Sequence, residues 1–147
     1  MSKTKTGQCM CGAVTFTVAN APASFGACHC ETCRRWTGSA LMGFNVPETD
    51  ITWKGEAHIK TLQSSDWAER AWCQRCGSSL YYRMTVDGPM AGSVQISLGL
   101  LDDLSGMTFD HELFVDCQPD AISYAGEGRD VMTRAEVFEK YGSGDDL

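Results

Sequence analysis

Eight cysteines dominate the chemistry that this 147-residue chain could perform. They form a CxC motif, a CxCxxC motif, a CxxC motif and one isolated residue: Cys9 and Cys11; Cys28, Cys30 and Cys33; Cys73 and Cys76; and Cys117. Thiolates at such spacings are typical zinc ligands. Residues 1–6 are polar and lack the apolar core of a signal peptide, so we expect a cytoplasmic protein. In that reducing compartment, clustered cysteines favour metal binding over structural disulfides.

Two of these motifs can form one closed tetrahedral site. Cys9 and Cys11 offer two thiolates, and Cys73 and Cys76 offer two more. The second pair has the spacing of a zinc knuckle, and the glycine that follows, Gly77, permits the tight backbone turn that a knuckle needs. Zinc binding is worth on the order of 10 kcal/mol in small domains. We therefore expect a structural zinc that clamps the N-terminal segment to the middle of the chain.

The remaining motif can hold a second zinc from one side through Cys28, Cys30 and Cys33. Three protein ligands leave the fourth tetrahedral position for water or substrate, as in catalytic zinc sites. A zinc ion with a replaceable ligand can polarise a carbonyl or keep a bound thiol deprotonated. Because three thiolates outweigh the charge of the ion, this site favours thiol exchange over strong Lewis acidity. The expected cofactor is therefore zinc, with two ions per chain.

Other assignments of the second motif stay open. Cys117, His29 or His111 could supply a fourth ligand and close the site. The soft ligand set also admits an iron–sulfur cluster. Arg34 and Arg35 follow the motif directly, and their guanidinium groups would suit the carboxylates of a substrate. Ion pairs with some of the 19 acidic residues would explain these arginines equally well.

Short strands must position the motifs. Segments rich in aliphatic, aromatic and threonine residues recur between glycine-rich turns. They predict strands over residues 13–18, 41–46, 58–62, 80–84, 93–98 and 111–115. A short helix is expected over residues 31–36, and the capping-box pattern of Thr133 and Glu136 predicts a second helix. The fold class is therefore mainly β: zinc-clamped, folded-over antiparallel sheets of many short strands with a short C-terminal helix.

Length and charge limit the remaining possibilities. We expect one domain over residues 1–141 and a flexible, glycine- and aspartate-rich tail over residues 142–147. The formal charge of −7 gives no basic footprint for nucleic acid. No apolar run is long enough to cross a bilayer. The expected partner is a small-molecule thiol, and the expected assembly is a monomer or homodimer.

These motifs together resemble the glutathione-dependent formaldehyde-activating enzyme family, which also includes centromere protein V. The resemblance lies in residues 7–14 (GQCMCGAV), 28–35 (CHCETCRR) and 73–77 (CQRCG), and more weakly in residues 99–103 and 111–114. It implies a mainly β, zinc-clamped fold with a structural and a catalytic zinc. The implied ligands are Cys9, Cys11, Cys73 and Cys76 for the first ion, and Cys28, Cys30 and Cys33 for the second.

The resemblance also implies an activity, the condensation of formaldehyde with glutathione to S-hydroxymethylglutathione, which is a carbon–sulfur lyase reaction run in reverse. The open zinc would deprotonate the thiol, and Arg34 or Arg35 would steer the carboxylates of glutathione. This chain departs from the family in having Ala121 where a tryptophan is frequent, and in being shorter than the founding type. The leading hypothesis is thus a zinc-dependent carbon–sulfur lyase acting on a small thiol adduct.

Two hypotheses from other classes compete with the enzyme. One is a non-catalytic, zinc-stabilised binding module for a protein or small ligand, which a fourth protein ligand at the second site would favour. The other is a thiol or metal buffer, whose second zinc would exchange without substrate turnover. A chromatin role like that of centromere protein V is not expected, because the chain has no basic tail.

Overall fold

The computed structural model describes residues 3–141, which form a mainly β protein with two short helices. The strands are β1 (Lys5–Gln8), β2 (Thr15–Val18), β3 (Ser24–Cys28), β4 (Leu41–Pro47), β5 (Ile51–Lys54), β6 (Ile59–Gln63), β7 (Ala68–Cys73), β8 (Ser79–Met84), β9 (Ser93–Ser97), β10 (Thr108–Leu113) and β11 (Asp130–Met132). The helices are α1 (Glu31–Thr37) and α2 (Arg134–Tyr141). The predicted mainly β fold with a short C-terminal helix is confirmed.

The strands form two sheets. A small sheet has the order β1-β2-β5, and a large sheet has the order β11-β10-β3-β4-β9-β8-β7-β6. Most neighbours are antiparallel, as predicted, but β10 runs parallel to both β3 and β11. This parallel insertion places the end of β10 beside the end of β3, where the second cysteine motif begins.

The main core lies between the two sheets and follows the alternation of the strands. Phe16 and Val18 of β2 pack against Phe44 and Val46 of β4, together with apolar residues of β9. Burying each such side chain contributes roughly 1.5–3 kcal/mol. Residues of the opposite parity, such as Asn45, face the other side of the large sheet, where a cleft opens.

Local signals define both helices. The Thr133 hydroxyl accepts the backbone N–H of Glu136 at 3.3 Å, and the Glu136 carboxylate accepts the backbone N–H of Thr133 at 3.1 Å. This reciprocal capping box starts α2, which buries Val137. Cys30 is the N-cap residue of α1, and Gly38 ends that helix in the left-handed conformation. α2 starts at the predicted position, and α1 agrees with the predicted helix to within one residue.

Two sequence expectations concern the ends of the chain and the membrane. The predicted tail, residues 142–147, lies outside the described residues, so the domain boundary at residue 141 stays a prediction. Within residues 3–141, both helices are too short and too polar to cross a bilayer.

Candidate metal centres and active-site cleft

The first cysteine cluster joins the N-terminal segment to the β7–β8 turn. The Sγ atoms of Cys9, Cys11, Cys73 and Cys76 all lie within 4.8 Å of one another. The Cys9–Cys11 and Cys11–Cys73 sulfur distances are 3.6 and 3.9 Å, close to the edge of about 3.8 Å expected for a tetrahedron with zinc–sulfur bonds of about 2.3 Å. Gly77 ends the knuckle at a φ of 81°. This donor set fits one four-coordinate zinc ion.

A backbone N–H and a hydroxyl group contact two sulfurs of this first cluster. The backbone N–H of Val14 donates to Cys9 Sγ at 3.4 Å. The Ser78 hydroxyl lies 3.1 Å from Cys76 Sγ and lowers the pKa of that thiol to about 5. Stabilised thiolates are the form that binds metal. With four protein sulfurs and no open position, the cluster suits a structural role.

The second cluster is built where β3 passes into α1. Cys28 ends β3, Cys30 is the N-cap of α1, and Cys33 lies in its first turn. Their three sulfurs lie within 4.8 Å of one another, and the residues are only 9%, 2% and 2% exposed. The backbone N–H of Cys33 donates to Cys30 Sγ at 3.3 Å. The helix start therefore fixes two of the three sulfurs relative to each other.

Within residues 3–141, the second cluster comprises these three cysteines alone. His29 points to Glu112, whose Oε1 lies 2.8 Å from its Nε2. Cys117 packs nearby, but its sulfur accepts the Arg134 guanidinium at 3.5 Å. His111 lines the adjoining cleft, with its Nδ1 2.6 Å from Asp110 Oδ1. The candidate fourth ligands thus stand apart from the cluster, which keeps one side free of protein donors.

The three clustered thiols share negative charge. Hydrogen bonds from Cys28 and Cys33 hold the pKa of Cys30 well below that of an ordinary thiol. The same contact with Cys30, together with burial, raises the pKa of Cys28. A buried group that so readily holds a thiolate is chemically suited to a soft divalent cation.

Arg70 of β7 supplies the positive charge next to the second cluster, and it is not among the site residues that the sequence predicts. Both terminal nitrogens of its guanidinium lie 3.7 Å from Cys33 Sγ. The group is held between the rings of Trp36 and Tyr82, at 5.0 and 5.2 Å from their centroids, and its Nε donates to Ser64. Arg70 is only 8% exposed. A fixed positive charge here offsets the net negative charge of three thiolates around a divalent ion.

Two sequence signals could have indicated Arg70. It lies three residues before the CxxC knuckle, and its neighbours Ala71 and Trp72 mark the segment as a buried strand. An arginine in such a strand requires an anionic or aromatic partner. The sequence leaves the partner open, because 37 residues separate Arg70 from Cys33.

The second cluster borders a cleft of about 560 Å³. Cys28, Cys30 and Cys33 contribute to its lining, as do Arg70 and His111. That volume is in the range of small-molecule sites. Gly26 of β3 lets the His111 ring lie across the strand, because a Cβ atom at this position would overlap that ring. The arrangement gives a small molecule access to the free side of the cluster.

Arg34 and Arg35 lie elsewhere. Both are exposed on α1, and neither belongs to the lining of the cleft. Arg34 instead borders a smaller depression with His29 and Tyr124. Their assignment as substrate contacts stays a prediction.

A buried ionic network of Glu112, His29 and Arg129 lies next to the second cluster. Glu112 of β10 contacts His29 through one oxygen and accepts the Arg129 guanidinium through the other at 3.0 Å. Arg129 also donates to the backbone carbonyls of Tyr124 and Ala125. Burial opposes ionisation of Glu112, but the hydrogen bonds from His29 and Arg129 outweigh it and lower the pKa of this carboxyl. The network fixes the backbone between Cys28 and Cys30.

Comparison with known proteins covers both clusters. The sequence profile of the glutathione-dependent formaldehyde-activating enzyme family matches residues 4–117. The chain is 31% identical over 121 residues to a Schizosaccharomyces pombe protein named an uncharacterized lyase, across 82% of this chain and 85% of the relative. It is 32% identical over 83 residues to a Halomonas elongata protein provisionally named a glutathione-dependent formaldehyde-activating enzyme, across 51% of this chain and 53% of that relative.

Proposed function

The chain belongs to the glutathione-dependent formaldehyde-activating enzyme family, and on that premise we propose that it is a zinc-dependent carbon–sulfur lyase acting on a small thiol adduct. The observation that carries the proposal is the buried cluster of three cysteines, Cys28, Cys30 and Cys33, which lines the cleft. The family and the lyase name of the S. pombe relative support the reaction class. The adduct of glutathione and formaldehyde, the two compounds in the name of the family, is S-hydroxymethylglutathione, and it serves as the reference substrate.

Both cysteine clusters suit zinc, and their roles differ. Cys9, Cys11, Cys73 and Cys76 would hold a structural ion, and Cys28, Cys30 and Cys33 would hold a catalytic one. A zinc ion in the second cluster would leave one coordination position for a substrate thiol and favour its deprotonated form. The sulfur-only donor set supports this assignment, since soft thiolate ligands select zinc over hard cations.

The reaction joins a thiol and an aldehyde. In the synthetic direction the sulfur bonds to the carbonyl carbon, and the proton lost from the thiol ends on the carbonyl oxygen. In the lyase direction the carbon–sulfur bond breaks and the proton returns. Arg70 stabilises negative charge on the cluster throughout, while Tyr82, whose pKa burial raises, stays a neutral wall of the cleft.

His111 is the side chain of the cleft suited to carry that proton. Its imidazole lines the cleft, and Asp110 holds its Nδ1 at 2.6 Å. A carboxylate in this position selects one tautomer and leaves the other ring nitrogen for proton transfer. Gly26 gives the ring room to lie across β3, where a Cβ atom would overlap it.

The test measures catalysed exchange between free and thiol-bound formaldehyde. Two-dimensional exchange NMR of equilibrated glutathione and formaldehyde, with zinc-loaded protein added, gives the rate directly against the uncatalysed background. We expect the wild type to accelerate exchange and Cys30→Ser to remove at least about 90% of that acceleration, since the variant lacks one of three zinc ligands.

Cys117→Ser is the matched control, because it changes a cysteine that packs near the cluster without belonging to it. It should keep the wild-type rate. Wild-type protein that holds zinc in the second cluster yet leaves the exchange rate at background, with glutathione and with other thiols, would contradict the lyase and leave a zinc-stabilised binding module.

A further inference from the structure

The residues that line the cleft indicate what kind of carbon skeleton the substrate thiol has. Most of the surface that lines the cleft is apolar. Trp67, Met84 and Met90 lie in the lining near the β8–β9 loop, and Phe114 and Phe138 lie in it next to the cysteine cluster. A ligand seated here meets aromatic and thioether surface.

This apolar surface continues to the rim of the cleft. Val86, Met90 and Tyr141 are 44%, 37% and 51% exposed, and all three lie on the cleft. Single exposed apolar residues are normal, but a group of them around one opening is typical of a binding site. The rim therefore offers further apolar contact to a ligand larger than formaldehyde.

Cations are scarce in the same lining. Among the described residues 3–141, Arg70 is the single lysine or arginine that lines the cleft. Its guanidinium is occupied by Cys33, Ser64 and two aromatic rings, and it is only 8% exposed. With its Nε on Ser64 and both terminal nitrogens on Cys33, this buried guanidinium is already engaged and presents little surface to a substrate carboxylate.

The other ionisable and polar groups of the cleft do not favour an anion. Asp87 lies in the lining and repels one, and the His111 imidazole of the lining is already paired with the Asp110 carboxylate, whose Oδ1 lies 2.6 Å from its Nδ1. Asn45, Ser93 and Gln95 supply neutral donors and acceptors on the floor. Glutathione has two carboxylates, and an unpaired carboxylate in an apolar site is costly to desolvate. The formal charge of −7 adds to this penalty at long range.

We propose that the thiol handled by this cleft has an apolar carbon part without a carboxylate, either free or as its neutral aldehyde adduct. This inference rests on the proposed function and narrows its substrate class. The apolar walls bind the carbon part, the neutral polar floor accommodates the adduct hydroxyl, and the thiol sulfur faces the three cysteines. Glutathione is a weaker ligand than such a thiol.

The test uses two thiols that differ by one carboxylate. Benzyl mercaptan and 4-(mercaptomethyl)benzoate share a skeleton and have similar thiol acidity. Calorimetric titration of each, and of glutathione, into the zinc-loaded full chain measures affinity without turnover. We expect the neutral thiol to bind at least about tenfold more tightly than its carboxylate analogue and than glutathione.

Two variants that each add a lysine test whether the cleft itself discriminates between the neutral thiol and its carboxylate analogue. Met90→Lys places a cation on the rim and should strengthen binding of 4-(mercaptomethyl)benzoate severalfold. Val131→Lys adds the same charge at a residue that is 54% exposed on β11, outside the cleft lining, and should leave the affinity unchanged.

The possible outcomes distinguish a failure of the apolar-substrate inference from a failure of the proposed lyase function. Glutathione or the carboxylate thiol binding as tightly as benzyl mercaptan would overturn the apolar-substrate inference while leaving the lyase intact. An equal response of the Met90 and Val131 variants would overturn it as well. If the zinc-loaded chain bound no thiol of either kind, the proposed function itself would fail.

Discussion

At the scale of single residues, the site depends on a balance of charge. Three thiolates around a divalent ion leave a net negative charge, and Arg70 places its guanidinium against Cys33 to offset it. Hydrogen bonds to charged groups are worth about 1.5–3 kcal/mol. The aromatic rings of Trp36 and Tyr82 hold the cation in place and exclude water.

Arg70→Met should therefore weaken zinc binding at the second cluster. Methionine keeps much of the side-chain length between the two rings but removes the charge and its donors. We expect the affinity of this site, measured by competition with a chelator at neutral pH, to fall at least about tenfold. The zinc ion of the first cluster should be retained as in the wild type.

Arg83→Met is the control for this prediction. Arg83 lies on β8, and its guanidinium pairs with Glu69 and Glu48 away from both clusters. The same substitution there should change zinc affinity by less than about twofold, as expected for a partly exposed pair. Equal zinc affinity in the Arg70 variant and the wild type would show that the guanidinium does not act on the cluster.

At the scale of elements, the cluster depends on the parallel pairing of β10 with β3. That pairing aligns Leu113 with Cys28 and brings Glu112 to His29. The Glu112 carboxylate then ties β3, β10 and the segment before β11 together through Arg129. A buried charge that loses its partner is destabilising, so the network has to be complete to hold its position.

Glu112→Gln should lower the free energy of unfolding by about 2–3 kcal/mol near neutral pH, because it removes the charge that His29 and Arg129 share. The folded pKa of Glu112 lies below its ordinary value of 4.5. Its contribution is therefore present above that value and is lost as pH falls through the lower folded pKa. In urea unfolding, the difference between wild type and variant should shrink as pH falls below 4.5.

Glu69→Gln serves as the comparison, because Glu69 pairs with the one-third-exposed Arg83. We expect a loss below about 1 kcal/mol there. If the Glu112 variant lost no more than this, or if its deficit were the same on both sides of pH 4.5, the network would not stabilise the site as described.

The sequence predicts these elements unequally. The capping box of Thr133 and Glu136 defines α2 because its signal is local. β3 and β10 pair although some eighty residues of chain separate them. The local alternation of apolar and polar residues carries no information about such a long-range pairing. Short spacing brings together the sulfurs within each cysteine motif, and the sequence predicts the pairing of Cys9 and Cys11 with Cys73 and Cys76 because two pairs of thiolates complete one tetrahedral site. The Arg70 contact and the lining of the cleft depend on the order of all the strands in the large sheet, so the sequence does not predict them.

At the scale of the whole molecule, the two clusters hold different parts of the fold. The first joins the segment after β1 to the β7–β8 turn, and so connects the small sheet to the large one. The second joins β3 to α1 beneath α2 and faces the cleft. One cluster is closed by four sulfurs and the other presents three, so a single chain can use the same ligand type for stability and for chemistry.

The measurement that tests this account most directly is the zinc content of the chain under reducing conditions, together with thiol titration, for wild type and Cys30→Ser. We predict about two zinc ions per wild-type chain, about one in the variant, and loss of thiol binding with the lost ion. Two ions per chain with no thiol binding in the wild type, or a variant that keeps both ions and binds thiol unchanged, would contradict an open, substrate-binding zinc site on Cys28, Cys30 and Cys33.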